Sequence, residues 1–240
     1  MTHTTRLSAL AVALCVPSAP CSAADPPAGV PKEYKHLYSQ DFARPESAAE
    51  FRYADPAAWR RIDDGKRPYL EQHKNARYAP PHRSPVNICL LGGKKFHDFV
   101  MDLECQQTGK EYGHRDMVFV FGYQSPAKFY YAHVATKADD HANQIFIVND
   151  APRTKISKVS NAGNDWGTDA WKTVRVVRKA SDGTIRVYFD DLTKPIMEAS
   201  DKTFGAGWIG FGSFDDTCRV RKVTIRGDKV EDAVSPEFPK

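Results

Sequence analysis

The chain has 240 residues, 27% of them charged, and a formal net charge of only +4. So small a positive balance excludes the dense basic footprint of a nucleic-acid binder, and a chain this long builds a core without a disulfide framework. Beyond residue 24 no run approaches the roughly 20 apolar residues of a spanning helix, so no membrane insertion through a helix is expected.

The first 24 residues, MTHTTRLSALAVALCVPSAPCSAA, carry Arg6, an apolar run from Leu7 to Val16, and small residues ending in Ser22-Ala23-Ala24. This is the pattern of a cleaved export signal ending before Asp25, and it places the mature protein in the periplasm or outside the cell. Leu14 precedes Cys15 and Pro20 precedes Cys21, so neither cysteine has the small neighbour that lipid anchoring needs. Residues 25–37 read as an N-terminal tail, 38–230 as one domain and 231–240 as a C-terminal tail. The domain keeps Cys89, Cys105 and Cys218, an odd number with no C-x-x-C pair, which argues against zinc or redox chemistry.

From Tyr38 to Phe42 the chain reads as a first edge strand. Pro45 to Arg61 reads as a short helix or turn with Trp59 as a buried anchor, and residues 65–87, with their prolines and mixed charges, read as a long ordered loop. Loops of that length in compact domains are often functional, so His73 and Arg77 are candidates for a cleft wall. From Phe96 onward eight short runs rich in Val, Ile, Phe and Tyr follow one another, separated by turn residues. Asp182-Gly183 is a hairpin signal. Eight strands without crossover helices predict an all-β fold, two antiparallel sheets stacked as a β-sandwich.

Side chains alternate along a strand. In FVMDLECQQ, Val100 or its neighbours Met101, Leu103 and Cys105 form the core set and Asp102, Glu104 and Gln106 the opposite set. In DMVFVFGY, Met117, Phe119, Phe121 and Tyr123 point inward, while Asp116, Val118, Val120 and Gly122 point outward. In KFYYAHVA the outward set is Phe129, Tyr131 and His133. Asn143 or Gln144 presents an amide in the next strand, and Arg175, Arg186 and Tyr188 lie opposite Val174, Val176 and Val187. One sheet face is therefore expected to carry Glu104, Asp116, Tyr131, His133, an amide and arginines, a set that suits sugar hydroxyls and C–H faces.

VYFDDLTKPIMEAS followed by GWIGFGSFDDTCRVRKVTIRG resembles the closing strands of concanavalin A-like, laminin G-like jelly-roll domains. VFVFGYQSPAKFYYAHVATKADDHANQIFIVND is similar to secreted bacterial proteins related to the 3-keto-disaccharide hydrolase domain. The resemblance spans Tyr38 to Gly227 and implies a two-sheet jelly roll with a concave, carbohydrate-facing surface. Such folds host hydrolases, lyases and non-catalytic lectins alike. The E-x-D-x-x-E string of the jelly-roll glucanases is missing, which leaves Glu104, Asp102 and Asp116 as the carboxylates for a two-carboxylate mechanism.

The expected function is a secreted carbohydrate-active protein that cleaves a glycan or glycoside, as hydrolase or lyase. The alternatives are a non-catalytic glycan-binding module or a cell-envelope interaction domain. His133 is the expected proton-transfer residue, with Glu104 and Asp116 beside it; Tyr131, Arg115, His114, Asn143, Gln144, His73, Arg77, Arg175 and Tyr188 are the expected substrate contacts. No cofactor and no catalytic metal is expected. A structural calcium has possible ligands in Asp215 with Asp216 or Asp190 with Asp191, though loop aspartates more often form turns.

Overall fold

The computed structural model describes Met1 and residues 27–239; the expected export signal, with Cys15 and Cys21, lies outside the described residues. The β-branched and aromatic runs form strands wherever one face can be buried. In chain order these are β1 (Lys35–Gln40), β2 (Phe51–Tyr53), β3 (Trp59–Ile62), β4 (Tyr69–Gln72), β5 (Asn87–Leu91) and β6 (Lys94–Phe96). Then come β7 (Phe99–Gln107), β8 (Asp116–Ser125), β9 (Lys128–Ala135), β10 (Gln144–Asn149), β11 (Thr154–Lys155) and β12 (Ser157–Ser160). The last are β13 (Lys172–Lys179), β14 (Thr184–Phe189), β15 (Met197–Ser200), β16 (Trp208–Ser213), β17 (Cys218–Gly227) and β18 (Val230–Asp232).

They assemble into two antiparallel sheets. One runs β12-β15-β14-β13-β7-β17-β4-β3 with β1 also on β17; the other runs β11-β10-β9-β8-β16-β5-β2. β18 pairs with β6 as a small third sheet. The expected sandwich is therefore observed. Between the sheets, Met101, Leu103 and Cys105 of β7 and Val174 and Val176 of β13 meet Phe119 and Phe121 of β8 and Tyr130, Ala132 and Val134 of β9. Trp59 is buried after two 3-10 turns, Pro45–Glu50 and Pro56–Ala58. Inside the segment read as one loop, Tyr69–Gln72 forms strand β4 between β3 and β17.

Alternation assigns the faces correctly up to Phe121. There β8 bulges, with one extra residue against β16 between Val120 and Tyr123 and two against β9 between Phe121 and Ser125, and Gly122 sits at φ 56°, a conformation that costs little without a Cβ. The bulge reverses the pleat locally, and Tyr123 joins the outer cluster with Phe129 and Trp208 instead of the core.

The outer faces differ in kind. On the nine-stranded sheet the outer face is charged: Arg175 clasps Asp102 through Nε and Nη2 at 2.6 and 2.9 Å, and Arg67 and Arg221 reach Glu104 at 3.1 and 2.8 Å. On the seven-stranded sheet it is apolar, built from Ile88, Leu90, Val118, Val120, Tyr131 and Phe146 among others. Phe238 of the C-terminal segment covers part of it, packing on Tyr78 and Tyr123. The three cysteines among the described residues, Cys89, Cys105 and Cys218, are buried and unpaired. Among the described residues no helix is long and apolar enough to cross a membrane.

Candidate functional site

At one end of the seven-stranded sheet the apolar face gives way to ionisable groups. Asp116 opens β8 and His133 lies near the end of its antiparallel neighbour β9, opposite Val118, so both side chains emerge on the outer face. Loops complete the site: Tyr112 and His114 precede β8, His141 lies between β9 and β10, and Arg153 precedes β11. Phe214, Asp215 and Asp216 follow β16, and Arg83 comes from the segment between β4 and β5. With Asp116 and His133, all of these except Asp216 line a cleft of about 150 Å³. Asp216 sits just behind, its backbone carbonyl held by Gln72 Nε2 and Ser213 Oγ, each at 2.6 Å.

The imidazole of His133 is 3% exposed and stacks parallel to Phe214, centroids 5.8 Å apart. Its Nε2 is 3.0 Å from Asp116 Oδ2, yet off the line a hydrogen bond needs, so Nε2 has a charge beside it and no aligned acceptor. Its Nδ1 faces Arg153 Nη1 at 3.5 Å, and that same nitrogen donates to Tyr131 Oη at 2.9 Å. Guanidinium nitrogens only donate, so Nδ1 is the lone-pair side of the ring and Nε2 carries the proton toward Asp116. Both ring nitrogens thus face protein groups, which makes His133 a link between Asp116 and Arg153 rather than a base open to the cleft.

Asp116 also accepts the Phe214 backbone N–H through Oδ1 at 2.8 Å, and the Asp216 carboxylate accepts the Asp116 backbone N–H at 2.9 Å and the Tyr112 hydroxyl at 3.2 Å. Burial, and then the charge of Asp116, push the Asp216 carboxyl up to about 6. Ligand oxygens of Asp116, Asp215 and Asp216 all lie within 4.8 Å of one another. An all-carboxylate donor set fits a hard cation such as calcium. Asp190 and Asp191 are committed elsewhere, Asp190 to Lys172 and the Thr193 neighbour Asp191 to that threonine.

The structure unites some of the expected residues and separates others. Asp116, His133, Tyr131 and His114 meet at this end of the sheet, with His114 Nε2 2.5 Å from Asp139 Oδ2. Gln144 shares the face, pairing with His133 across the strands. Glu104 does not join them, because β7 belongs to the other sheet: alternation says which side of its own sheet a residue faces, and the two outward sets point away from each other. The same correction moves Arg175 and Tyr188, cross-strand partners on the nine-stranded sheet. The carboxyl of Glu104 is raised by burial but brought below its ordinary value overall by hydrogen bonds from Arg221 and Arg67, the state of a structural ion pair.

Arg115 is a buried strut, bonded to Gln107 and, at 2.8 Å, to Glu111. Asn143, at φ 54°, is absorbed into an amide network with Asn161 and Asn164. His73 reaches the Ala57 carbonyl, and Arg77 lines a separate cavity beside the C-terminal segment. The long loop does furnish a cleft wall, but through Arg83. Arg83, Tyr112, His141, Arg153, Phe214 and the Asp215-Asp216 pair as cleft residues were missed. Phe214-Asp215-Asp216 offered a signal as a possible cation turn; Arg153, alone between Pro152 and Thr154, offered none.

No protein-family model matches the chain, and no curated protein matches it. Solved structures do. A carbohydrate-binding module, CBM66, from Bacillus subtilis superposes with a TM-score of 0.51 at 15% identity, over 74% of this chain and 96% of that one. A Bacillus subtilis protein of unknown function with a galectin-like fold gives 0.54 at 11% identity, over 82% and 100%. Peanut lectin gives 0.52 at 9%, over 83% and 100%. At these identities the likeness is one of fold: the chain is a galectin-like, concanavalin A-like jelly roll.

Proposed function

We propose that the protein is an exported carbohydrate-recognition sandwich whose ligand site is the cleft at the Asp116–His133 end of the seven-stranded sheet. The observation that carries this is the convergence on one small cleft of Arg83, His114, His141, Arg153, Tyr112 and Phe214 around a buried Asp116–His133 pair. Polar groups that converge in a concavity orient a ligand, and this set offers donors and acceptors for hydroxyls and a ring for a sugar C–H face. The cleft has room for a terminal sugar unit rather than a stretch of chain. Similarity to carbohydrate-binding folds supports the reading by analogy.

A cleaving function is the second reading, favoured by one observation. Ligand oxygens of Asp116 and Asp216 lie within 4.8 Å of each other, and a carboxyl raised to about 6, as burial raises that of Asp216, can act as a general acid. Any structural calcium would take its oxygens from Asp116, Asp215 and Asp216, and would show as a thermal shift on adding calcium that Asp215→Asn abolishes.

The test is calorimetric binding and chromatographic product analysis of the purified protein against a panel of neutral, uronic-acid and 3-keto glycosides. Binding without product is the expected result. Product that disappears in Asp216→Asn would replace the first reading by the second, and a protein that binds none of the panel would overturn both.

A further inference from the structure

Arg153 is held from several sides. Its guanidinium lies against two aromatic rings, with Cζ 4.7 Å from the centroid of Phe146 and 4.4 Å from that of Phe214. One end is pinned: Nη1 donates to Tyr131 Oη and faces His133 Nδ1. The backbone behind it is pinned too, since the Arg153 N–H donates to the Arg83 carbonyl at 3.2 Å. Among the described residues no carboxylate pairs with Arg153, and no acceptor meets its Nε or Nη2. Those two nitrogens form the fork edge that grips a planar oxyanion through two parallel hydrogen bonds.

The contrast with the other outer face is direct. There Arg175 uses the same Nε and Nη2 edge to hold Asp102. At the cleft the fork is built and, among the described residues, none supplies its acceptor. The cost of fixing a long side chain in one rotamer is met in advance by the rings and by Tyr131, so a ligand that supplies the oxyanion loses little of its affinity to ordering.

The negative groups of the cleft are placed so as not to cancel the fork. Asp116 lies on the Nε2 edge of His133 and Arg153 on the Nδ1 edge, so the imidazole separates them. Arg83, which lines the same cleft, adds a second positive charge, and Asp215 is exposed at the rim.

We infer that Arg153 is the anion subsite of this cleft and that the ligand is an acidic glycan, one whose terminal sugar carries a carboxylate or a sulfate ester; this rests on the carbohydrate reading above. The fork receives the oxyanion, Arg83 adds attraction at the rim, and the remaining polar groups meet the hydroxyls. Neutral sugars offer hydroxyl acceptors but no planar oxyanion, so they match the fork with weaker, uncharged hydrogen bonds and without its paired geometry.

The test is isothermal titration of the full chain, with and without calcium, against matched pairs: oligogalacturonate, alginate and hyaluronan oligosaccharides beside their carboxyl-reduced forms, and a carrageenan oligosaccharide beside its desulfated form. At least one acidic member is expected to bind, with its neutral counterpart weaker by about tenfold to a hundredfold, the worth of hydrogen bonds to a charged group. Which pair shows the difference separates carboxylate from sulfate. Arg153→Lys keeps the charge and loses the fork, and is expected to lose most of that preference; Arg153→Gln is expected to lose all of it. Because the wild-type pairs carry the comparison alone, a variant that fails to fold does not blunt the test. Equal binding of acidic and neutral partners, or a preference unchanged in Arg153→Lys, overturns the anion subsite and leaves the carbohydrate reading standing. Failure of every acidic and neutral sugar overturns both.

Discussion

The two outer faces of the sandwich use the same residue types to opposite ends. On the nine-stranded sheet each carboxylate is matched by arginine: Asp102 by Arg175, Glu104 by Arg67 and Arg221, and Glu71 by Arg60 and Arg219. On the seven-stranded sheet the charges gather at one end and are mismatched, with carboxylates crowded against one another and an arginine fork left open. Ion pairs that close on themselves hold a surface together, whereas charges left without counterparts inside a cleft are available to something that binds there.

The difference can be broken most severely at Asp116. Asp116→Ala removes the acceptor of the Phe214 N–H and the charge beside His133 at a site 1% exposed. It is expected to cost about 3 kcal/mol or more in urea unfolding and to abolish glycan binding. A variant that unfolds like the wild type would show that the pair contributes nothing to holding the cleft.

Acidity sharpens the contrast, because the faces respond with opposite sign. The folded-state carboxyl of Asp216 sits near 6, above its unfolded value. Folded protein therefore binds that proton more tightly, and this group adds stability as pH falls from about 6 toward 4. Asp216→Asn is expected to be more stable than wild type by about 2 kcal/mol at pH 7 and equal to it below pH 4. Glu71 runs the other way: burial raises its carboxyl, but Arg219 and Arg60 bring it below its ordinary value, so its contribution is present at neutral pH and is lost on acidification. Urea titrations of Asp216→Asn across this range that ran parallel to the wild type would refute the assignment.

The apolar part of the seven-stranded face needs its cover. Phe238→Ala uncovers Tyr78 and Tyr123 and is expected to cost about 1–2 kcal/mol and to raise binding of a hydrophobic dye. The smallest effect belongs to the charged face: Glu104→Ala, at a partly exposed pair, is expected to change stability by no more than about 1 kcal/mol and to leave glycan affinity untouched. Loss of binding in that variant would mean that the wrong face has been assigned.

Much of this architecture is written in the sequence at short range. Eight strand runs, their inward and outward sets and the Asp182-Gly183 hairpin follow from alternation and turn chemistry, and Asp116 with His133 follows from the same reasoning. What failed was long-range. Glu104 and His133 are both outward residues, but sheet membership depends on which strands pair, and β7 with β8 is a crossing between sheets that no local pattern marks. Tyr123 was lost to the bulge around Gly122. Arg83 and Arg153 come from loops whose positions depend on the fold closing around them, so nothing local marks that these two arginines, and not Arg77 of the same loop as Arg83, face one cleft.

The three thiols of the described residues are internal reporters of the sandwich's own opening. Cys89 lies in the seven-stranded sheet, and Cys105 and Cys218 in the nine-stranded sheet; all are buried, and burial pushes each thiol up. A thiol-directed reagent can modify them only in conformations that expose them, so residue-resolved labelling rates measure how often each sheet opens. Equal rates at Cys89 and Cys105 would identify the sandwich as a single cooperative unit, and faster labelling of Cys89 would locate the less stable half in the sheet that carries the cleft.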